Sequence, residues 1–133
     1  MPKGQEKTSL PHSKLQAASL RALAALRPLV EQLRQSDAVV AEQLMRAATH
    51  VALEIFSAER WAPRSPRPHL LASLTATSEA MTLLRLMVDS RHCTWDVARP
   101  TYLELSATYL ELMKRVAPKR RSRVKRDGRG RAA

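Results

Sequence analysis

Residues 101–112 read TYLELSATYLEL, in which the first five residues recur seven positions later. Seven residues make about two turns of an α-helix, so the repeat predicts a helix with apolar stripes along its length. One stripe contains Tyr102, Leu105, Tyr109, Leu112 and Val116, and the other contains Leu103, Leu110 and Met113. Two stripes are more than one core face needs, and the surplus predicts a second contact, with another subunit.

This helix is expected to begin near Asp96 or at Pro100, because proline is tolerated in a first turn, and to end before Pro118. The segment before it carries apolar residues in a 4-3-4-3-4 pattern, a heptad seam that predicts a helix from about Pro68 to Ser90. The seam consists of Leu70, Leu74, Thr77, Met81, Leu84 and Val88.

Two further helices are predicted closer to the N-terminus. Ser13 is a candidate N-cap for a helix that runs to about Gln35. Pro28 lies inside that helix and removes one backbone hydrogen bond, so a kink is expected there, or a break near Leu26.

The next predicted helix runs from Val39 to about Trp61, with Ser36 or Asp37 as its N-cap. Prolines at positions 63, 66 and 68 end it. Its inward face is expected to comprise Val40, Leu44, Ala47, Ala48, Val51, Ile55 and Ala58. The small alanines allow a neighbouring helix to approach closely.

These patterns predict an all-α fold, an antiparallel up-down four-helix bundle over residues 13–117. Residues 1–12 are expected to form a flexible leader and residues 118–133 a basic, disordered tail. Residues 5–127 contain no glycine, which excludes a glycine-rich phosphate loop and disfavours tight β-hairpins.

The sequence gives little support for a catalytic site or a metal site. Cys93 is the single cysteine, so no internal disulfide or multi-cysteine metal site is possible. The adjacent His92 and Cys93 lie in a predicted connection, where a nucleophile and its base seldom reach the required geometry. No histidine follows a glutamate at di-iron spacing. We therefore expect no enzyme activity, cofactor or metal, and the lack of a signal peptide or long apolar run predicts a cytoplasmic protein without a membrane contact.

Charge is concentrated at the C-terminal side of the chain. The formal net charge is +11; residues 1–113 hold 13 bases and 11 acids, whereas residues 114–133 hold 10 bases and one acid. The candidate nucleic-acid-binding bases of the tail are Lys119, Arg120, Arg121, Arg123, Lys125, Arg126, Arg129 and Arg131. Such a block contacts phosphates of RNA or DNA by releasing counterions, whatever the base sequence. A tail that only aids solubility is the alternative, and an acidic membrane is a weaker one.

Arginines of the predicted helices are candidates for a supporting basic face, with Arg46 foremost among Arg21, Arg27, Arg34, Arg46 and Arg85. Each also has an ordinary interpretation as a solvated helix arginine. Aromatic residues make up 4% of the chain and are expected in the core or at interfaces, since no sheet is predicted to present them for base stacking.

The segment 43–51, QLMRAATHV, adds a family resemblance. It is similar to the helix-two signature Q-x-x-R-A-A-x-S-I-x-x-N-I-A-E-G of the four-helix-bundle proteins encoded in intervening sequences of bacterial 23S ribosomal RNA genes. The matching residues are Gln43, Arg46, Ala47, Ala48 and Ile55, with Val51 for the isoleucine. The sequence departs from the signature at its end, where Glu54, Ser57 and Ala58 replace Asn, Glu and Gly.

The same fold includes the accessory variability determinant of diversity-generating retroelements, which this chain resembles in its basic charge. The resemblance implies a homopentamer that binds a reverse transcriptase and nucleic acid. The first hypothesis is therefore a non-catalytic, basic nucleic-acid-binding bundle, an accessory to a reverse transcriptase. The alternative is a protein–protein interaction module that uses its apolar faces, with an incidental tail.

Overall fold

The computed structural model describes residues 11–118, and four α-helices make up most of this range. The second helix continues into a π-helical turn, Ser57–Trp61. The α-helices are α1 (Lys14–Leu33), α2 (Ala38–Phe56), α3 (Arg67–Asp89) and α4 (Trp95–Val116).

Each helix packs against the next one along the chain, and α4 returns to pack against α1. The connections span only a few residues, so consecutive helices run antiparallel. The predicted all-α, up-down four-helix bundle is confirmed.

Side chains that precede the helices determine where they begin. Ser13 Oγ accepts a hydrogen bond from Gln16 N, while the Gln16 side chain accepts one from Ser13 N, a reciprocal capping box. At α2 the cap is Asp37, whose carboxylate accepts from Val40 N. Thr94 caps α4, so this helix begins beside the earlier of its two predicted starts.

Helix α1 continues to Leu33 with Pro28 inside it, so the alternative of a break near Leu26 is wrong. Pro28 lacks the N–H that would bond to the carbonyl of Ala24. One residue further on, the Ala25 carbonyl accepts a bond from Thr101 Oγ1 of α4 at 3.1 Å. That contact supports the backbone next to the missing hydrogen bond.

The apolar core has two clusters along the bundle axis. One is formed by α1, α2, α3 and α4 around Leu26, Leu44, Leu84 and Leu105, and the other around Leu15, Ile55, Leu70 and Leu112. Five buried residues of these clusters on α1, α2 and the π-helical turn are alanines, which is consistent with close helix approach: Ala22, Ala41, Ala47, Ala48 and Ala58. Ala18 and Ala52 are also buried.

The predicted seam of α3 is rotated from the observed one. Leu74, Met81 and Val88 are only partly buried, whereas Ser73 and Ala80 are fully buried. Ser73 fits because its Oγ donates to the Val51 carbonyl at 2.8 Å, which satisfies the hydroxyl in the core. A hydrophobicity count cannot detect a buried polar residue of this kind.

Helix α3 ends at a left-handed residue that is not glycine. Arg91 has φ 67°, its N–H bonds to the Val88 carbonyl, and the His92 N–H bonds to the Met87 carbonyl. These two bonds define a Schellman motif, in which the left-handed position usually holds glycine. The chain thus forms this turn with an arginine in a strained conformation.

Candidate nucleic-acid interface

The up-down topology gives the bundle two chemically different ends. One end contains Ser13, the connection 57–67 and Val116, and residues 119–133 continue from it; we call it the tail end. The opposite end contains the connections 34–37 and 90–94, and we call it the loop end.

Two carboxylates organise the tail end. Glu59 of the π-helical turn accepts a 2.5 Å hydrogen bond from Ser13 Oγ and pairs with Arg115 at 3.5 Å. Glu111 of α4 lies 3.7 Å from Lys14 and 3.6 Å from Lys114. These contacts tie the start of α1, the end of α2 and the end of α4 together.

Three arginines of the tail end have no carboxylate partner within ion-pair distance among residues 11–118: Arg60, Arg64 and Arg67. All three are exposed. The Arg60 guanidinium lies 5.9 Å from the centre of the Phe56 ring, and Arg67 donates to the carbonyl of Val116. Their charges are therefore presented to solvent beside the attachment point of the tail.

The charge balance differs between the ends. At the tail end, residues 11–17, 54–70 and 109–118 contain six bases and three acids. At the loop end, residues 31–42 and 85–99 contain four bases and five acids. The bundle itself is thus cationic on the side from which its basic C-terminal segment continues.

The helix arginines predicted to form a supporting basic face are spread around the bundle. Arg21 pairs with Glu104 on the α1–α4 side, and Arg34 pairs with Glu42 on the α1–α2 side, each at 3.4 Å. Arg46 is exposed in a groove of about 410 Å³ between α2 and α3, whose other lining residues are Gln43, Ala47, His50 and Glu79. Arg85 lies in a different groove, next to Tyr102 and Tyr109. Arg27 is exposed on α1.

The eight tail bases of the predicted site, from Lys119 to Arg131, lie outside the described residues. Of the predicted site, the structure therefore places only Arg46. Arg60, Arg64 and Arg67 are not among the predicted site residues, although the alternation of arginine and proline in residues 63–68 is visible in the sequence.

The two tryptophans mark the two ends and differ in environment. Trp61 is the last residue of the π-helical turn and is 81% exposed. Trp95 opens α4 at the loop end, is 38% exposed and packs edge-on against Tyr102 with ring centres 5.2 Å apart. The sequence predicts that the aromatic residues lie in the core or at interfaces. Within the single chain, Trp61 is not part of the core.

Other reactive groups are held in structural contacts. His69 Nδ1 of α3 lies 2.7 Å from Glu54 Oε1, and His50 lies 3.4 Å from the other oxygen of Glu54. Burial raises the pKa of the Cys93 thiol, which lowers its thiolate fraction at neutral pH. Within residues 11–118, no three His, Cys, Asp or Glu side chains are grouped so as to hold a metal ion.

None of the helices in the described part of the chain is both long and apolar enough to cross a bilayer.

The class that the fold defines is a four-helix bundle with one cationic end. A scan of protein-family models gives no match to the sequence, and a search of curated proteins gives none either. Among solved structures, the chain is similar to a protein of unknown function from the S23 ribosomal protein family of Bacteroides thetaiotaomicron VPI-5482, with a TM-score of 0.73 and 19% sequence identity. The match covers 78% of this chain and 99% of that one. The likeness confirms the fold that the sequence resemblance implied.

Proposed function

We propose that this protein is a non-catalytic member of the 23S rRNA intervening-sequence family that binds RNA or DNA through its tail end and its basic C-terminal segment. The observation that carries the proposal is the placement of Arg60, Arg64 and Arg67, exposed and without carboxylate partners in the described part of the chain, where residues 119–133 attach. Phosphate contacts of this type give affinity without base specificity.

The two ends are far enough apart for the tail end to act as the contact surface for a polyanion by itself. Helix α1 has 20 residues and therefore spans about 30 Å, whereas charges are screened over about 10 Å at 0.1 M salt. A polyanion docked at the tail end is thus largely insensitive to charges at the loop end. We place Arg46, which lies partway along α2, in a secondary role.

The test compares the full chain with a variant in which the eight tail bases are replaced by glutamine. Binding to duplex DNA and to structured RNA is measured between about 50 and 200 mM salt. Each lost phosphate contact reduces the log–log salt slope by about 0.9, so the slope of the variant falls by up to about 7. Helical content, measured by circular dichroism, stays the same. Equal affinity and slope for the two proteins would reject the role of the tail.

A second candidate function is a protein–protein interaction module, and the second stripe of α4 favours it. Leu103, Leu110 and Met113 are 50%, 62% and 42% exposed, as expected for an apolar face that lacks its partner. The homopentamer and the reverse-transcriptase partner that the family resemblance implies stay predictions. Replacing Leu103 and Leu110 by serine and measuring the mass of the particle by sedimentation tests this contact: a fall to the monomer mass supports it, and an unchanged mass argues against it.

A further inference from the structure

We infer that Trp61 is a stacking platform for an unpaired base, so that the tail end prefers single-stranded nucleic acid over duplex. This inference rests on the proposed function and deepens it. Trp61 is the most exposed of the large hydrophobic residues that the structure describes, and it lies in a surface whose charge suits phosphates.

The π-helical turn directs the indole outward. Its closing bond runs from Ala62 N to the Ser57 carbonyl, 3.1 Å long and five residues apart, so the turn holds more residues than an α-helical turn. Position 61 is thereby rotated away from the buried stripe that passes through Ile55 and Ala58. Glu59 fixes the inward side of the turn through Ser13 and Arg115.

Cationic side chains flank the indole along the chain. Arg60 precedes Trp61, and Arg64 follows it by three residues, both exposed. An aromatic face between cations matches the two parts of a nucleotide, because a base stacks on the ring while the neighbouring phosphates contact the arginines. A duplex keeps its bases paired and stacked internally, so it offers the indole no such face.

Trp95 provides a matched control at the loop end. It is a tryptophan at the start of a helix, but its ring is engaged by Tyr102 and its surroundings carry more acids than bases. If an exposed indole ring and neighbouring positive charges are both needed to bind an unpaired base, substitution of Trp95 has no effect on binding.

The experiment measures the affinity of the full chain for unstructured oligo(U) RNA and for an RNA duplex of equal length, by anisotropy of a labelled strand. Trp61→Leu keeps an apolar side chain but removes the π-system, and Trp61→Phe restores a smaller one. We expect Trp61→Leu to weaken oligo(U) binding by between about fivefold and a hundredfold and to leave duplex binding within about twofold. Trp61→Phe recovers most of the loss, and Trp95→Leu changes neither affinity.

Each outcome separates this inference from the proposed function. If the wild-type chain binds both ligands and Trp61→Leu changes neither affinity, or both equally, the stacking role is overturned while phosphate binding stands. If the wild-type chain binds neither ligand, both proposals fall. If Trp61→Leu instead changes the sedimentation of the ligand-free chain, Trp61 is a contact between proteins and the stacking role is likewise overturned.

Discussion

The two ends of the bundle are built from the same parts, helix termini joined by short connections, and yet they differ in charge, in backbone geometry and in the state of their tryptophans. The tail end has excess bases, a π-helical turn and a protruding Trp61. The loop end has balanced charges, a Schellman turn at Arg91 and a Trp95 that packs on Tyr102. The helices thus determine the topology, while the residues at their termini determine the charge and the exposed aromatic surface of each end.

Among substitutions within the two ends of the bundle, the largest effect is expected from reversing charge at one end only. Arg60→Glu with Arg64→Glu removes two phosphate contacts, which lowers affinity for duplex DNA by roughly 10²-fold near 0.1 M salt. The matched control is Arg91→Glu with Arg99→Glu, which changes the net charge equally at the loop end. Similar losses for the two double variants, measured by gel shift, would show that net charge and not the tail end attracts the polyanion.

A smaller effect is expected from Glu59, which joins the π-helical turn to Ser13 and Arg115. Glu59→Ala removes a hydrogen bond to a charged group, so the free energy of unfolding falls by about 1–3 kcal/mol, while binding of DNA tightens because a negative charge leaves the tail end. Glu59→Gln keeps an acceptor for Ser13 but loses the charge. Urea denaturation of both variants checks this: glutamine retains more stability than alanine, and a loss of DNA affinity in either variant would contradict the electrostatic interpretation.

The smallest effect is expected at the loop end, from Arg91. At φ 67° a residue with a Cβ is strained, so Arg91→Gly raises the free energy of unfolding by about 1 kcal/mol. Arg91→Ala removes the same charge but keeps the Cβ, and it gives no such gain. Thermal unfolding distinguishes the two, and a gain for alanine equal to that for glycine would assign the effect to charge rather than to backbone strain.

Capping residues and apolar spacing within single helices made most of the fold predictable. Ser13 caps α1 as the sequence predicts, and Asp37, one of the two candidates with Ser36, caps α2. The repeat at 101–112 located α4, and its second stripe is exposed in the structure. The contact with another subunit that this stripe predicts stays a prediction. These features depend on spacing within one helix, and spacing is what a sequence displays.

Features that depend on contacts between distant residues were not predictable in the same way. The π-helical turn is held by Glu59 through Ser13, 46 residues earlier, and the backbone next to Pro28 is supported by Thr101 of another helix. The heptad count assigned Leu74 and Met81 to the core of α3, but the buried face includes Ser73 because a carbonyl of α2 satisfies its hydroxyl. The arginines of the tail end are close together in the sequence, but their position beside Val116 at the end of α4 follows only from the packing of the helices.

The most direct test of the difference between the ends uses the two indole N–H signals of the ¹⁵N-labelled full chain, one from each end, assigned with the Trp95→Leu variant. Single-stranded oligo(U) RNA is added until binding is complete. A polyanion docked at the tail end shifts or broadens the Trp61 signal and leaves the Trp95 signal in place. A shift of Trp95 with an unchanged Trp61, or binding that moves neither signal, would contradict the assignment of the tail end as the nucleic-acid interface.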